Sequence, residues 1–204
     1  MTDEQITLKK WIDESNYIVF FGGAGVSTES NIPDFRSIDG LYNQKYKYPP
    51  ETILSHSFFV QKPEEFYDFY RDKMIYTEAK PNKAHYALAE LEKQGKLKAV
   101  ITQNIDGLHQ AAGSKSVYEL HGTIMKNYCT RCGREYPLST IIESKGIPRC
   151  QVKDETGGVC NGIIKPKVAL YEEGLDDNVV SGAIKHIRNA DMLIIGGTSL
   201  TVYP

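Results

Sequence analysis

The chain has 204 residues, 41% hydrophobic and 25% charged, with a formal net charge of −2. That length holds one sizeable core plus a small module. The composition offers no basic excess for nucleic acid and no apolar run long enough to span a membrane, so neither is expected as a partner. The acidic, amphipathic start MTDEQITLKKWIDES does not read as a secretory leader. A reducing, cytoplasmic setting is therefore expected, and there four cysteines point to a metal rather than to disulfides.

Ile6, Leu8, Trp11 and Ile12 space out as a short amphipathic first helix. Tyr17 to Phe21 then reads as a buried strand, followed by the run GGAGVSTESNIPDFRS from Gly22 to Ser37. A glycine turn after a strand lets backbone N–H groups approach a phosphate, and a helix is predicted from there to about Ser30. Asp34, Phe35 and Arg36 set an acid, a ring and a guanidinium side by side, a trio suited to breaking a bond in a dinucleotide rather than only cradling it. Residues 33–50 read as a long functional loop. Residues 51–79 read as helical, with Phe58, Phe59, Phe66, Tyr67, Phe69 and Tyr70 in two aromatic clusters. Asn82 to Gln94 reads as a helix closed by Gly95, and Ala99 to Thr102 as a second buried strand. Met192 to Ile195 is a third strand, ending in the turn Gly196-Gly197-Thr198-Ser199. Alternating strands and helices predict an α/β fold: a Rossmann-like parallel sheet with helices on both faces, plus a small zinc-ribbon module. Because the last strand and turn are followed at once by Pro204, a C-terminal part of the sheet is expected to be missing.

The cysteines break this rhythm. Cys129 and Cys132 form a CTRCG knuckle, and Cys150 and Cys160 follow after seventeen residues with nine between them. The second spacing is wide, but its polar loop carries Gly157-Gly158 and can bulge while its ends converge. Four thiolates leave a zinc ion no open position, so the predicted site is structural. The alternative is a set of unligated cysteines with one redox pair.

Gln103, Asn104 and Asp106 crowd the carboxyl end of the second strand, where open α/β sheets place ligands. Taken alone, the run fits an ordinary capped turn equally well. A lone histidine such as His121, in Glu119-Leu120-His121-Gly122, is more often a surface or hydrogen-bonded structural group than a catalyst, but its ordinary pKa makes it the natural candidate for a general base near neutral pH. His85 and His109 rival it by composition, with His85 read as a packing residue. The glycine turn is G-x-G-x-x-T, short of the full dinucleotide fingerprint, so a generic dehydrogenase fits poorly.

Taken together, GAGVSTESNIPDFRS, TQNIDGLHQAAG, ELHG, the four cysteines, KPKVALYEE and GTSLTVYP occur in the order seen in sirtuins. From about Ile6 to Pro204 the chain resembles a bacterial member of that family of NAD-dependent protein lysine deacylases. The resemblance implies that Ala24, Gly25, Thr28, Phe35 and Arg36 line an NAD site, with Gln103, Asn104, Ile105 and Asp106 forming its nicotinamide and ribose pocket. It implies Thr198 and Ser199 against the adenosine half, and His121 and Asn104 as the catalytic pair. Val168, Ala169, Leu170, Tyr171 and Glu172 would pair as a strand with the backbone of an acetyl-lysine protein substrate. Structural zinc would sit on Cys129, Cys132, Cys150 and Cys160. The implied reaction moves the acetyl group of lysine to ADP-ribose and releases nicotinamide.

The sequence departs from the family pattern at several places. Gly22 stands where threonine is usual, Asn31 where glycine is usual, and Lys167 where asparagine or aspartate is usual, the last favouring acidic residues beside the acyl-lysine. Members that remove acidic acyl chains carry Tyr-x-x-Arg. Here Tyr67 is followed three residues later by Tyr70, and Arg71 lies about 100° further round the helix, so acetyl is expected over succinyl. The expected division is residues 1–124 and 163–204 for the NAD-binding unit and 125–162 for the zinc module, with an inserted helical and flexible segment at 37–80. Mono-ADP-ribosyl transfer is the competing enzyme reading, and a non-catalytic NAD- and zinc-binding interaction protein the competing non-enzyme one.

Overall fold

The computed structural model describes residues 1–35, 40–41, 46–153, 155 and 157–201. Four parallel strands form the main sheet in the order β3-β2-β1-β7: β1 Ile18–Gly22, β2 Leu97–Thr102, β3 Val117–Glu119 and β7 Met192–Gly196. The two central strands are nearly continuous apolar runs because both of their faces are covered. On one face Ile18, Phe20, Leu97 and Val100 pack on Leu88 and Leu91 of α5 (Lys83–Lys93). On the other, Val19 and Ile101 pack on Ala183 of α8 (Asp177–Asn189).

The first helix, α1 (Asp3–Glu14), starts on a Thr2/Gln5 capping box, but its Ile6, Leu8 and Trp11 are exposed while Ile12 packs against the sheet core. The helix predicted after β1 does not form. Two 3₁₀ turns, Ala24–Val26 and Thr28–Ser30, occupy that stretch. Asn31 then reverses the chain at φ 62°, two residues before Pro33. Asn31 is one of the few non-glycine types that tolerate this conformation.

The predicted helical region 51–79 divides into α2 (Pro50–Ile53), α3 (His56–Gln61) and α4 (Pro63–Lys73). Ser55 caps α3 through its hydroxyl, and Pro63 opens α4 at a position where a missing N–H costs nothing. Their aromatic residues pack on a second, antiparallel sheet of order β5-β4-β6. Its strands are β4 Gly122–Cys129, β5 Glu135–Pro137 and β6 Ile164–Val168. Two short helices, α6 (Leu108–Ala111) and α7 (Leu138–Glu143), complete the elements used below. Among the described residues no helix is long and apolar enough to cross a membrane.

Candidate functional site

The carboxyl ends of β1, β2 and β7 open into one cleft of about 700 Å³. After β1, Gly23 and Gly25 are required by packing. A Cβ on Gly23 would meet Gln103 Oε1 at 2.7 Å, and one on Gly25 would meet Gly197 Cα at 2.9 Å. Gly197, at φ 63°, answers from the turn after β7, and a Cβ there would meet Val26 N at 2.3 Å. The N–H of Gly25 donates to Gly197 O at 2.8 Å, and those of Gly23, Val26 and Ser27 donate to Gly196 O, Gly23 O and Ala24 O. The glycines thus serve first to let two turns touch, a different reason from the phosphate approach that the sequence invites.

The polar residues after β2 are knitted to that turn through Ser27, which is 1% exposed. Ser27 Oγ donates to Asp106 Oδ2 at 2.7 Å and accepts from Asn104 Nδ2 at 3.0 Å. Asp106 Oδ1 also accepts the Leu108 N–H at 2.9 Å. Thr198 Oγ1 donates to Gln103 Oε1 at 2.8 Å, joining the β2 and β7 turns. Sequence reasoning missed Ser27, because its partners Asp106 and Asn104 lie 79 and 77 residues away in the chain.

His121 stands just before β4, and its Nδ1 lies 2.8 Å from Gln103 O. A carbonyl only accepts, so Nδ1 carries the proton and Nε2 keeps a lone pair. Burial holds the imidazole below its ordinary pKa, which leaves it neutral near pH 7. The His121 carbonyl in turn accepts the Ala169 N–H at 2.9 Å. The ring and the main chain of one residue therefore join the strand-end cluster to the segment that follows β6.

That segment forms the opposite wall of the cleft. Strand β6 itself ends at Val168. The expected strand Val168–Glu172 instead continues as irregular chain, with Glu172 at φ 75° and its carboxylate on Ser57 N and Oγ. The cleft is lined by Ala24, Gly25, Phe35, Gln103, Asn104, Ile105, Asp106, His121, Val168, Ala169, Leu170, Tyr171, Glu172, Thr198 and Ser199. Of the remaining predicted residues, Thr28 is exposed and caps the Gly25 carbonyl at 3.0 Å. Arg36 lies outside the described residues.

Apolar residues missed at the sequence level, Leu54, Met74 and Ile124, close the wall beside Tyr70. Tyr70 is 1% exposed, and among the described residues its hydroxyl meets no partner. Arg71 turns away: Nε donates to Ile141 O and Nη2 to Ser144 Oγ, both at 2.8 Å, and Nη2 also reaches Gly146 O. Behind the strand-end cluster the rings of His85 and His109 meet at 4.7 Å, both buried. Burial, then the neighbouring His85, pushes His109 down to about 4.

The four cysteine sulfurs lie within 4.8 Å of one another. The Cys129–Cys160 and Cys132–Cys150 separations are both 3.6 Å. Zinc–sulfur bonds of about 2.3 Å set tetrahedral sulfur–sulfur edges of about 3.8 Å, so this donor set fits zinc. The wide Cys150–Cys160 loop closes through the Cys160 N–H to Val152 O bond at 2.8 Å. Tyr136 donates its hydroxyl to Cys150 Sγ at 3.0 Å, orienting one thiolate from outside the set.

Residues 23–204 match the family model described as Sir2 family. The chain is 59% identical over 207 residues to an NAD-dependent protein deacetylase of Clostridium acetobutylicum and 60% identical over 206 residues to one of Clostridium perfringens. In each case the alignment covers all of this chain and 82% of the relative. Among solved structures it is similar to a Sir2 variant with deacetylated p53 peptide and 3′-O-acetyl ADP-ribose (TM-score 0.86, 41% identity). It is also similar to Sir2 with p53 peptide and NAD+ (TM-score 0.83, 40% identity). Each superposition covers all of this chain and 79% of the other.

Proposed function

The chain belongs to the Sir2 family, and from that premise we propose the following assignment of its chemistry to residues. The protein is an NAD-dependent protein deacetylase, acting on acetylated lysines of proteins and yielding nicotinamide, free lysine and O-acetyl-ADP-ribose. NAD supplies the nicotinamide leaving group and the ribose that receives the acetyl. His121 is the general base and takes the ribose hydroxyl proton at Nε2. The observation that carries this role is the Nδ1 contact with Gln103 O, which fixes the tautomer in a residue lining the cleft. Asn104 and Asp106 hold the ribose and the nicotinamide amide, an arrangement supported by their common anchor on Ser27. Ala24, Gly25, Phe35, Gln103 and Ile105 complete this half of the site, with Thr28 and Arg36 beside it and Thr198 and Ser199 on the adenosine side. The segment from Val168 to Glu172 docks the peptide. Zinc on Cys129, Cys132, Cys150 and Cys160 is structural.

Acetyl is the favoured acyl group. Arg71 is occupied with Ile141 O, Ser144 Oγ and Gly146 O outside the cleft, and Lys73, which among the described residues is the Lys or Arg lining the cleft, is paired with Asp72 at 3.0 Å. We place the reaction in the cytoplasm, where a reducing setting keeps the four thiols available to zinc. Mass spectrometry of products from NAD with acetyl- and succinyl-lysine peptides tests the assignment. The wild type yields O-acetyl-ADP-ribose, with succinyl turnover at least tenfold lower. His121→Ala loses roughly 100-fold or more in rate while still binding NAD. ADP-ribose left on the peptide would mean transfer instead, and full activity in His121→Ala would remove its role.

A further inference from the structure

Among the described residues, Lys165 is the buried lysine that the reaction does not use. It lies in β6 with 4% exposure, although a lysine side chain ordinarily keeps its ammonium in water. Its Nζ donates to Val168 O at 3.0 Å, to Pro166 O at 3.4 Å and to Glu173 Oε2 at 3.0 Å. Glu173 spreads the contact further. The same Oε2 accepts the Leu170 N–H at 2.9 Å, and Oε1 meets His56 Nδ1 of α3 at 2.8 Å. One ion pair, buried at its lysine and half-buried at its glutamate, thus binds a carbonyl and an N–H of the cleft-lining segment and ties both to a helix.

Stability alone does not account for this arrangement. Two apolar side chains of similar volume commonly hold a core as well as a buried ion pair or better, because the pair must first lose its water. Apolar side chains cannot bond Val168 O and Leu170 N, however. The neighbouring Ala169 N–H is the group bonded to His121 O, so any drift of this segment shifts the peptide edge against His121. We infer that Lys165 and Glu173 form a positioning unit for the acyl-lysine peptide, holding Val168 to Leu170 in the register at which the bound lysine meets His121. This inference rests on the peptide-docking reading above.

The test uses the full chain loaded with zinc. Anisotropy gives the Kd of a labelled acetyl-lysine peptide, and steady-state kinetics give kcat and the KM for NAD. Lys165→Met weakens peptide binding by about tenfold, as expected for lost charge-assisted bonds to main-chain groups, and lowers kcat at saturating peptide several-fold as the register against His121 loosens, while the KM for NAD stays within about twofold. Lys165→Arg recovers most of the affinity. The double variant Lys165→Met/Glu173→Leu recovers the melting temperature but not the affinity. Unchanged peptide affinity in folded Lys165→Met overturns the inference, as does affinity that returns with stability in the double variant. A wild type that binds the peptide without deacetylating it sinks the proposed function and leaves the positioning unit standing. A wild type that does not bind the peptide sinks both.

Discussion

At the scale of single residues, the site depends on positions where a side chain cannot be added. Gly197 combines φ 63° with a would-be Cβ 2.3 Å from Val26 N. Gly197→Ala is expected to destabilise by on the order of 2 kcal/mol, from the backbone conformation and the parted turns together. It also raises the KM for NAD several-fold with little change in kcat, which melting curves and NAD titrations read separately. His109 makes the opposite kind of demand, for neutrality. Its pKa falls to about 4 in the fold against an ordinary 6.5, so the unfolded chain binds the extra proton first. Stability is then complete above about pH 6.5 and declines as the pH falls toward 4, by on the order of 3 kcal/mol from this residue. Urea melts at pH 7.5, 6 and 5 measure that slope, and His109→Gln should flatten it.

At the scale of elements, the legible parts of the sequence were those whose signal is local. The apolar runs of β1 and β2, the Asn82 cap with Gly95 beyond α5, and the clustering of cysteines all depend on near neighbours. The short strands β3 and β5 carry no apolar period and exist because β2 and β4 lie beside them. The stretch after β1 looked helical because its composition permits a helix, but contact with the Gly197 turn holds it in 3₁₀ turns. The candidate site was legible for a similar reason. His121, Asn104, Asp106 and the glycines sit in short runs whose order resembles a known family. Ser27 and Lys165 went unread because their importance lies in partners 79 and 8 residues away, and Tyr70, read as part of an aromatic cluster, owes its place in the cleft wall to a burial that no local pattern announces.

At the scale of the whole molecule, two sheets of different kind share one cleft. We propose the division at residues 1–124 and 163–204 for the NAD-binding unit and 125–162 for the zinc module. The pairing of β4 with β6 on both sides of that division supports a mechanical link between the two. Cys129 closes β4, and Val168, at the other end of β6, opens the peptide edge. Zinc removal by a strong chelator should therefore lower the melting temperature and cut deacetylation at least tenfold, with NAD binding changed much less. Metal analysis of the native protein should find one zinc per chain. Equal activity with and without zinc would break the proposed link.

The bonds inside the β1 turn carry a thermodynamic consequence. The amides of Gly23, Gly25, Val26 and Ser27 are satisfied by the protein's own carbonyls before any ligand arrives. Binding there need not freeze a loose chain, so little ordering entropy is lost at this corner of the site. Amide hydrogen exchange reads this directly: these four protons should already be slow in the protein alone, and NAD should scarcely slow them further.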